Sequence, residues 1–315
     1  MSSSFNSWFL KKKIYFICCL VASFVVNAQD IQFSQYLSNP LYLNPALAGS
    51  EGCSRASVFY RNQWPKLDGS YLSTGFSYDQ YVKSLHGGIG LYYKHDNLAK
   101  GIFKYNELNF SYAPHTNIKD KVTIATGFDI GFHQRKIDLA KLNFGDQIDP
   151  VRGWIYESQH QQEYDMRIFV DFSIGLAVYG EQFASGISIL HLHEPNQSQF
   201  VNFAKSPLPR RYAVYGSYKF ALDSTKQLAI APNYVFLMQE NSRINIFGVD
   251  FMYRELISGL KYRTGNNLVL IAGMATGKFG LSYGYDWDLD DSGRGGAHEV
   301  FLTFKGFNCR KGIAN

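Results

Sequence analysis

The chain has 315 residues, a formal charge of +5, 46% hydrophobic and 16% aromatic residues. Its length fits two ordinary domains or one large all-β unit. A mean hydropathy of −0.19 excludes a helical membrane protein, which needs spans of about 20 apolar residues, and the hydrophobic content excludes disorder. Four cysteines without a CxxC pair exclude a disulfide-dense scaffold and the usual zinc spacings.

Residues 1–28 are typical of a secretory signal peptide. Lys11 to Lys13 form the positive region, residues 14–26 form an apolar stretch too short to span a bilayer easily, and Ala28 ends a small-residue cleavage site. Cleavage would leave a mature chain that begins at Gln29 with a charge of only +2. That charge gives no support for a nucleic-acid partner. An uncleaved anchor helix is the alternative.

Residues 29–52 show no alternation of apolar and polar side chains. They contain two Asn-Pro pairs, which favour turns and helix caps over a strand. The aromatic content indicates that this stretch packs on other parts of the protein. We therefore predict a plug segment in the lumen or at the periplasmic mouth of a barrel, and a role in partner binding for Phe33, Tyr36, Asn39, Pro40, Tyr42, Asn44 and Pro45.

Residues 53–309 fall into alternating segments of about 9–12 residues. In residues 122–133, 168–179 and 278–287, one face is apolar and the other consists of Gly and polar groups. Period-two alternation is the pattern of a strand, although soluble sandwiches show it too. The segment length and the Gly-rich second face favour an all-β fold, a closed antiparallel transmembrane β-barrel with a water-filled lumen in contact with outer-membrane lipid.

The same pattern predicts 14 strands, an even number as in single-chain bacterial barrels. If the mature N-terminus is periplasmic, the two longest connections, 135–164 and 193–209, lie outside the cell and the tight turns lie inside. The predicted strands are 54–62, 71–79, 87–95, 103–113, 121–134, 165–179, 183–192, 210–221, 227–238, 243–252, 256–263, 268–276, 278–287 and 297–308.

Two cysteines remain after the leader is removed. Cys53 precedes the first predicted strand and Cys309 follows the last. These strands are neighbours in a closed barrel, and the periplasm is oxidising. We predict a Cys53–Cys309 disulfide at the barrel seam, followed by a short tail, residues 310–315. Two independent free thiols are the alternative.

Several polar side chains stand where strands meet loops. Arg61, Gln63 and Trp64 end the first predicted strand, and Asp146 and Gln147 belong to the long connection. We predict that these five residues anchor loops at the rim. Alternatively, Trp64 belongs to an interfacial aromatic girdle and Arg61 is a lumenal charge paired with Asp79 or Asp286.

The sequence gives little indication of catalysis, a metal or a cofactor. No GxSxG, HExxH or Walker motif occurs. His191, His193 and Glu194 stand close together, but a polar rim explains them as well as a metal site does. Asp286, Asp288 and Asp290 alternate as in a calcium loop, yet the required Gly and Glu are missing, so an EF-hand is excluded and only a looser calcium site stays open.

The stretches FSQYLSNPLYLNPALAGS (33–50), YRNQW (60–64), FGDQID (144–149) and GISILHLHEP (186–195) follow one another along the chain. Together they resemble the PorP/SprF family of Bacteroidetes outer-membrane proteins, which is linked to type IX secretion and gliding motility. The first two stretches are the more specific.

The resemblance implies a non-catalytic barrel that works with periplasmic type IX secretion components. It also implies help in the export or surface attachment of adhesins with a C-terminal sorting domain. Composition and periodicity indicate neither role. A passive porin, a channel for hydrophobic substrates and a membrane-embedded hydrolase are the alternatives.

Overall fold

The computed structural model describes residues 30–119, 121–149, 151–157, 165–198, 205–225, 227–290 and 293–306. The predicted signal peptide, Cys309 and the C-terminal tail lie outside the described residues. The chain divides into two units, Met1–Ile31 and Gln32–Asn315. Only residues 30 and 31 of the first unit are described, and the second unit holds the barrel.

Fourteen strands of the described residues form one closed antiparallel sheet, which confirms the predicted barrel. The remaining strands are the two-residue β11 and a small hairpin, β6–β7. Numbered in chain order, the strands are β1 Arg55–Gln63, β2 Tyr71–Val82, β3 Gly87–Leu98, β4 Phe103–Ile118, β5 Val122–Ile137, β6 Ile148–Asp149, β7 Gly153–Trp154, β8 Asp165–Gly180, β9 Phe183–Leu190, β10 Arg211–Tyr218, β11 Phe220–Ala221, β12 Leu228–Gln239, β13 Ser242–Tyr253, β14 Leu256–Arg263, β15 Asn267–Ala275, β16 Phe279–Asp288 and β17 Ala297–Lys305.

Each strand pairs with its neighbours in the chain, and the first pairs with the last. The β1–β17 register runs from Arg55 opposite Lys305 to Gln63 opposite Ala297, so the seam is bonded over the whole length of β1. The eighth barrel strand is interrupted after β10 and resumes as β11, which also pairs with β12. No edge strand remains, as a barrel in lipid requires.

The two faces of the sheet differ as the alternation predicts. Large apolar side chains cover the outer face and are exposed, as expected for contact with lipid. Examples from strands around the barrel are Val58, Phe76, Phe110, Phe128, Ile174, Phe247, Leu260 and Leu302. Gly and polar residues occupy the inner face together with buried aromatic and aliphatic side chains such as Phe59, Tyr92 and Phe301. No helix in the described part of the chain is long and apolar enough to cross a membrane.

The two ends of the barrel carry connections of different length. The strands that end at the long-loop end are β1, β3, β5, β9, β12, β14 and β16, and those that end at the short-turn end are β2, β4, β8, β11, β13, β15 and β17. The β6–β7 hairpin lies within the longest connection. This asymmetry follows the order predicted from strand parity.

The strand bounds mostly agree with the prediction to within three residues, and β4 is the largest exception. The sequence prediction ends β4 at residue 113, just before Pro114, which has no N–H for the ladder. The strand instead continues to Ile118. Pro114 pairs with Gly87 of β3, whereas the β4–β5 ladder has no pair at Ala113 or Pro114. The missing donor is thus tolerated at a local gap in that ladder.

Candidate functional site: the lumen and its N-terminal segment

The N-terminal segment, defined here as residues 32–54, is a series of short helical turns. Both Asn-Pro pairs begin a helix: Pro40 is the first residue of α1 (Pro40–Leu43), and Pro45 is the first residue of a 3₁₀ turn, Pro45–Leu47. Asn44 caps the second turn, because its Oδ1 accepts a hydrogen bond from the Ala46 N–H at 2.9 Å. The predicted turns are present, and Asn44 caps its turn, whereas the Asn39 side chain makes no cap hydrogen bond.

Aromatic side chains attach this segment to the inner face of the barrel. The seven residues that the sequence singles out here are all buried. The Phe33 ring lies edge-on to Phe59 of β1, at 5.3 Å between centroids, and 6.2 Å from Phe301 of β17. The Tyr42 ring lies 5.8 Å from Tyr92 of β3. The apolar core of the protein is therefore formed between the segment and the wall.

Glycines on the inner face make room for the segment. A Cβ at Gly88 would fall on the Ala48 carbonyl, one at Gly127 on the Ala46 backbone, and one at Gly175 on the Asn44 side chain. The sequence prediction interpreted the Gly-rich face as the lining of a water-filled lumen. That interpretation is wrong at these positions, since the glycines are there because the segment lies directly against the strands.

The β8–β10 wall binds the segment through polar contacts. The Asn44 Nδ2 donates to the carbonyl oxygens of Leu176 and Ile187, at 3.0 and 3.1 Å. The Ser188 Oγ donates to the Leu43 carbonyl at 2.6 Å. The Ser188 bond satisfies a carbonyl that the short helix leaves open, whereas the Asn44 bonds go to strand carbonyls of the wall.

Arg211 of β10 adds a second kind of contact on the same wall. Its Nη2 donates to the Tyr42 carbonyl at 2.6 Å, and its guanidinium lies 4.1 Å from the centre of the Tyr42 ring. This arrangement combines a charge-assisted hydrogen bond with a cation–π contact.

A buried ion cluster links the segment to the seam. Arg61 of β1 is fully buried and pairs with Asp286 of β16 at 3.0 Å and with Glu299 of β17 at 2.8 Å. Arg263 of β14 also reaches Asp286, at 2.9 Å. Glu299 accepts from the backbone N–H groups of Ser34 and Gln35 at 2.9 and 2.8 Å. Arg61 is therefore a buried, inward charge near the long-loop end of the barrel, and Asp286 is one of its partners.

A second ion cluster lies near the short-turn end. Arg55 makes a bidentate pair with Asp79, at 2.8 and 3.0 Å, so Asp79 is the partner of Arg55 and not of Arg61. The Gly49 N–H donates to Asp79 at 2.8 Å. Glu51 bridges Arg55 at 3.2 Å and Lys305 at 3.0 Å. Both clusters therefore join the segment to strands at the seam.

Tyr36 lies in the middle of this packing. Burial raises the pKa of its hydroxyl to about 12, and the positive charges of Arg211, Arg263 and Arg61 oppose the shift. The hydroxyl therefore stays protonated at physiological pH and is available as a hydrogen-bond donor.

The predicted rim residues on β1 have different surroundings. Gln63 accepts a hydrogen bond from Arg61 at 3.4 Å. Trp64 follows the strand in a left-handed conformation with φ of 58° and donates its N–H to the Gly296 carbonyl at 2.7 Å. Its ring lies 5.3 Å from the Arg294 guanidinium. Trp64 thus joins two loops and does not lie on the lipid face.

In the long connection, Asp146 and Gln147 belong to the 3₁₀ turn Gly145–Gln147. Asp146 is exposed, whereas Gln147 is buried. The Gln147 Oε1 accepts from the Phe144 N–H at 2.8 Å, and its carbonyl accepts from the Ile155 N–H at 3.1 Å. Gln147 therefore links two parts of the long connection to each other.

Cys53 lies at the end of the segment, is buried and is disulfide-bonded. Cys309 lies outside the described residues, so the pairing of these two cysteines stays a prediction.

The remaining candidates have protein partners. His191 is held at φ of 58°, and its Nδ1 lies 2.5 Å from Asp171, while His193 lies 3.9 Å from the same carboxylate. In the described residues, no group of three or more His, Cys, Asp or Glu side chains is placed to hold a metal ion. Asp286 of the calcium-like pattern is engaged by two arginines, as described above.

Several inward charges are not among the residues predicted from the sequence. Lys94 of β3 is buried and pairs with Asp96 at 3.2 Å and with Glu107 of β4 at 3.1 Å. Glu299 and Arg211 were also missed. Each falls on the inward register of its strand, so a charge inside an alternating segment was the signal that could have found it.

Comparison with known proteins gives one family and several distant barrels. A search of curated protein sequences gives no match. Acinetobacter baumannii Omp33 is 6% identical, with a TM-score of 0.45 over 82% of this chain and 100% of its own. Haemophilus ducreyi BamA lacking POTRA domains 1–3 is 8% identical, with a TM-score of 0.42 over 82% and 70%.

The Pseudomonas putida toluene transporter TodX is 10% identical, with a TM-score of 0.40 over 83% of this chain and 90% of its own. The family model described as type IX secretion system membrane protein PorP/SprF matches residues 25–304. Because that match covers most of the sequence, the chain belongs to the PorP/SprF family of type IX secretion system membrane proteins, and its barrel lies in the outer membrane.

Proposed function

We propose that this protein is a non-catalytic accessory barrel of type IX secretion and gliding motility. It would help to export adhesins that carry a C-terminal sorting domain, or hold them at the cell surface, in contact with periplasmic components of the secretion system. The family supports association with type IX secretion. The adhesin, the motility role and the periplasmic partners are the proposed part.

The observation that carries the proposal is the seating of the N-terminal segment. Residues 33–50 are the most family-specific stretch of the sequence, and the structure places them against glycines, carbonyls and ion pairs of the inner wall. Side chains such as Phe33, Leu43 and Asn44 have no exposed surface. A lumen occupied in this way favours a plugged scaffold over an open pore.

Conductance separates this proposal from the alternative, a passive porin or a channel for hydrophobic substrates. We expect the purified full-length protein to give no sustained large conductance in planar bilayers. Deletion of residues 33–50 should open the lumen and raise the conductance. Sustained large conductance of the intact protein would instead support the porin.

The cellular test uses the same deletion. We expect loss of adhesin display at the surface, while the barrel still reaches the outer membrane and shows heat-modifiable mobility on gels. Normal secretion and display in the deletion strain would contradict the proposed role of the segment. The Gly280→Ala variant is a matched control, because a Cβ at Gly280 meets no atom closer than 3.7 Å.

A further inference from the structure

A cavity of about 180 Å³ lies between the N-terminal segment and the β12–β17 wall. Its lining includes Thr276 and Lys305 at the short-turn end. It also includes Gln35 and Lys261, which lie further along the barrel wall, toward the long-loop end. The cavity therefore extends along the inside of the wall over several residues of each strand.

Part of the cavity lining is apolar. The apolar part of the lining consists of Leu37 from the segment and of Met252, Ile257, Ile271 and Phe301 from four strands, and Arg55, Ser282 and Thr303 also line the cavity. Ile271 and Phe301 are buried. Apolar walls of this kind favour an aliphatic group over water.

Two hydrogen-bond donors lie in this lining without a matching acceptor. The Gln35 Nε2 is buried and has no hydrogen-bond partner among the described residues. Lys261 is 5% exposed, and the carboxylate that it faces, Asp250, lies 3.8 Å from its Nζ, beyond hydrogen-bond distance. The Asn233 amide, at 2.7 Å, already donates to the same oxygen of Asp250. A buried amide nitrogen without an acceptor is costly in the free protein, and the Lys261 ammonium has only a long ion pair with Asp250.

We propose that this cavity binds a carboxylate with an aliphatic tail, of the fatty-acid type. The carboxylate oxygens would accept hydrogen bonds from Gln35 and Lys261, and the tail would lie along the apolar walls toward the short-turn end. Gln35 and Lys261 offer donors, and the one lining carboxylate, Asp250, already faces Lys261 and Asn233, which favours an anionic ligand over a cationic one. The positive charge of Lys261 favours a carboxylate over a neutral alcohol. This site does not depend on the proposed role in secretion.

The test measures binding of radiolabelled decanoate to the full-length protein in amphipol, with amphipol alone as the background. We expect one saturable site per chain. Lys261→Met and Gln35→Leu should each weaken binding by about tenfold or more, as loss of a charge-assisted hydrogen bond predicts. Lys83→Met, an exposed lysine in a short turn, should bind like the wild type. Decanol should bind at least about tenfold more weakly than decanoate.

Two results would overturn the proposal. One is uptake that does not saturate or that equals the background, which would mean that the cavity holds only water. The other is saturable binding that Lys261→Met and Gln35→Leu leave unchanged, which would place the ligand elsewhere. If Lys261→Met fails to give a heat-modifiable barrel, the Gln35→Leu result decides alone.

Discussion

The side chain of Asn44 occupies the space that a Cβ on Gly175 would need, and its amide bonds the carbonyls of the paired residues Leu176 and Ile187. A residue of the N-terminal segment is thus fitted to one position of β8. A Cβ at position 175 would already clash with the Asn44 side chain. Replacing Gly175 by alanine, the smallest substitution, is therefore enough to test the fit.

We predict that Gly175→Ala loosens the segment while the barrel stays intact. The added methyl group pushes Asn44 off the strand, so the backbone bonds around residues 42–48 open more often. Hydrogen exchange followed by mass spectrometry should show about tenfold faster exchange in those peptides, equal to a loss of about 1.4 kcal/mol.

The control is Gly280→Ala, on the same inner face, where the added methyl makes only ordinary van der Waals contacts, the nearest at 3.7 Å. It should leave exchange of the segment unchanged. Equal exchange in Gly175→Ala and the wild type would show that Asn44 can move aside at little cost.

The cluster around Arg61 predicts a larger effect. Arg61→Met leaves Asp286 with Arg263 alone and leaves Glu299 without its ion-pair partner, both inside the barrel. Removal of one member of a buried ion pair costs about 3–5 kcal/mol. Urea unfolding in lipid vesicles should show a loss of this size.

Two further variants sharpen the Arg61 experiment. Glu299→Gln in the Arg61→Met background should recover part of the loss, because the uncompensated charge is removed. Arg294→Met, which breaks a more exposed pair with Asp290, should change stability by less than about 1 kcal/mol. A loss in Arg61→Met no larger than that in Arg294→Met would show that the buried cluster contributes little.

Much of the barrel could be predicted from the sequence, because lipid and lumen impose opposite chemistry on alternate residues. The strands of the barrel wall and the parity of the loops follow from that alternation alone. The seating of the segment could not be predicted. Gly175 and Asn44 meet through space across the lumen, and period-two alternation marks a glycine as inward-facing without showing what lies against it.

The partners of the buried ion pairs also could not be predicted from alternation alone. Arg61 was predicted to pair with Asp79 or Asp286, since all three side chains face inward. The choice depends on the position of each carboxylate along its strand, and Asp79 lies opposite Arg55 in the β1–β2 register. The register between two strands is set by the pairing in the closed sheet, so the sequence of a single strand does not predict it.

The disulfide of Cys53 predicts a covalent seam. If Cys309 is its partner, peptide mapping of the unreduced protein should give a linked peptide with both cysteines. Cys53→Ser should expose one free thiol to alkylation in the folded protein. A linked peptide that joins two copies of the chain, or alkylation of both cysteines without reduction, would contradict the pairing.

The outer face allows a direct test of contact with lipid. Phe128 lies near the middle of β5, opposite Ile174 of β8, and its side chain is exposed. Phe128→Arg should destabilise the barrel by about 2–4 kcal/mol in vesicles, since a charge at the bilayer midplane lacks water. Val151→Arg, in the long connection and already 92% exposed, should be neutral. Equal stability of the two variants would mean that Phe128 faces water, and the assignment of this face to lipid would then be wrong.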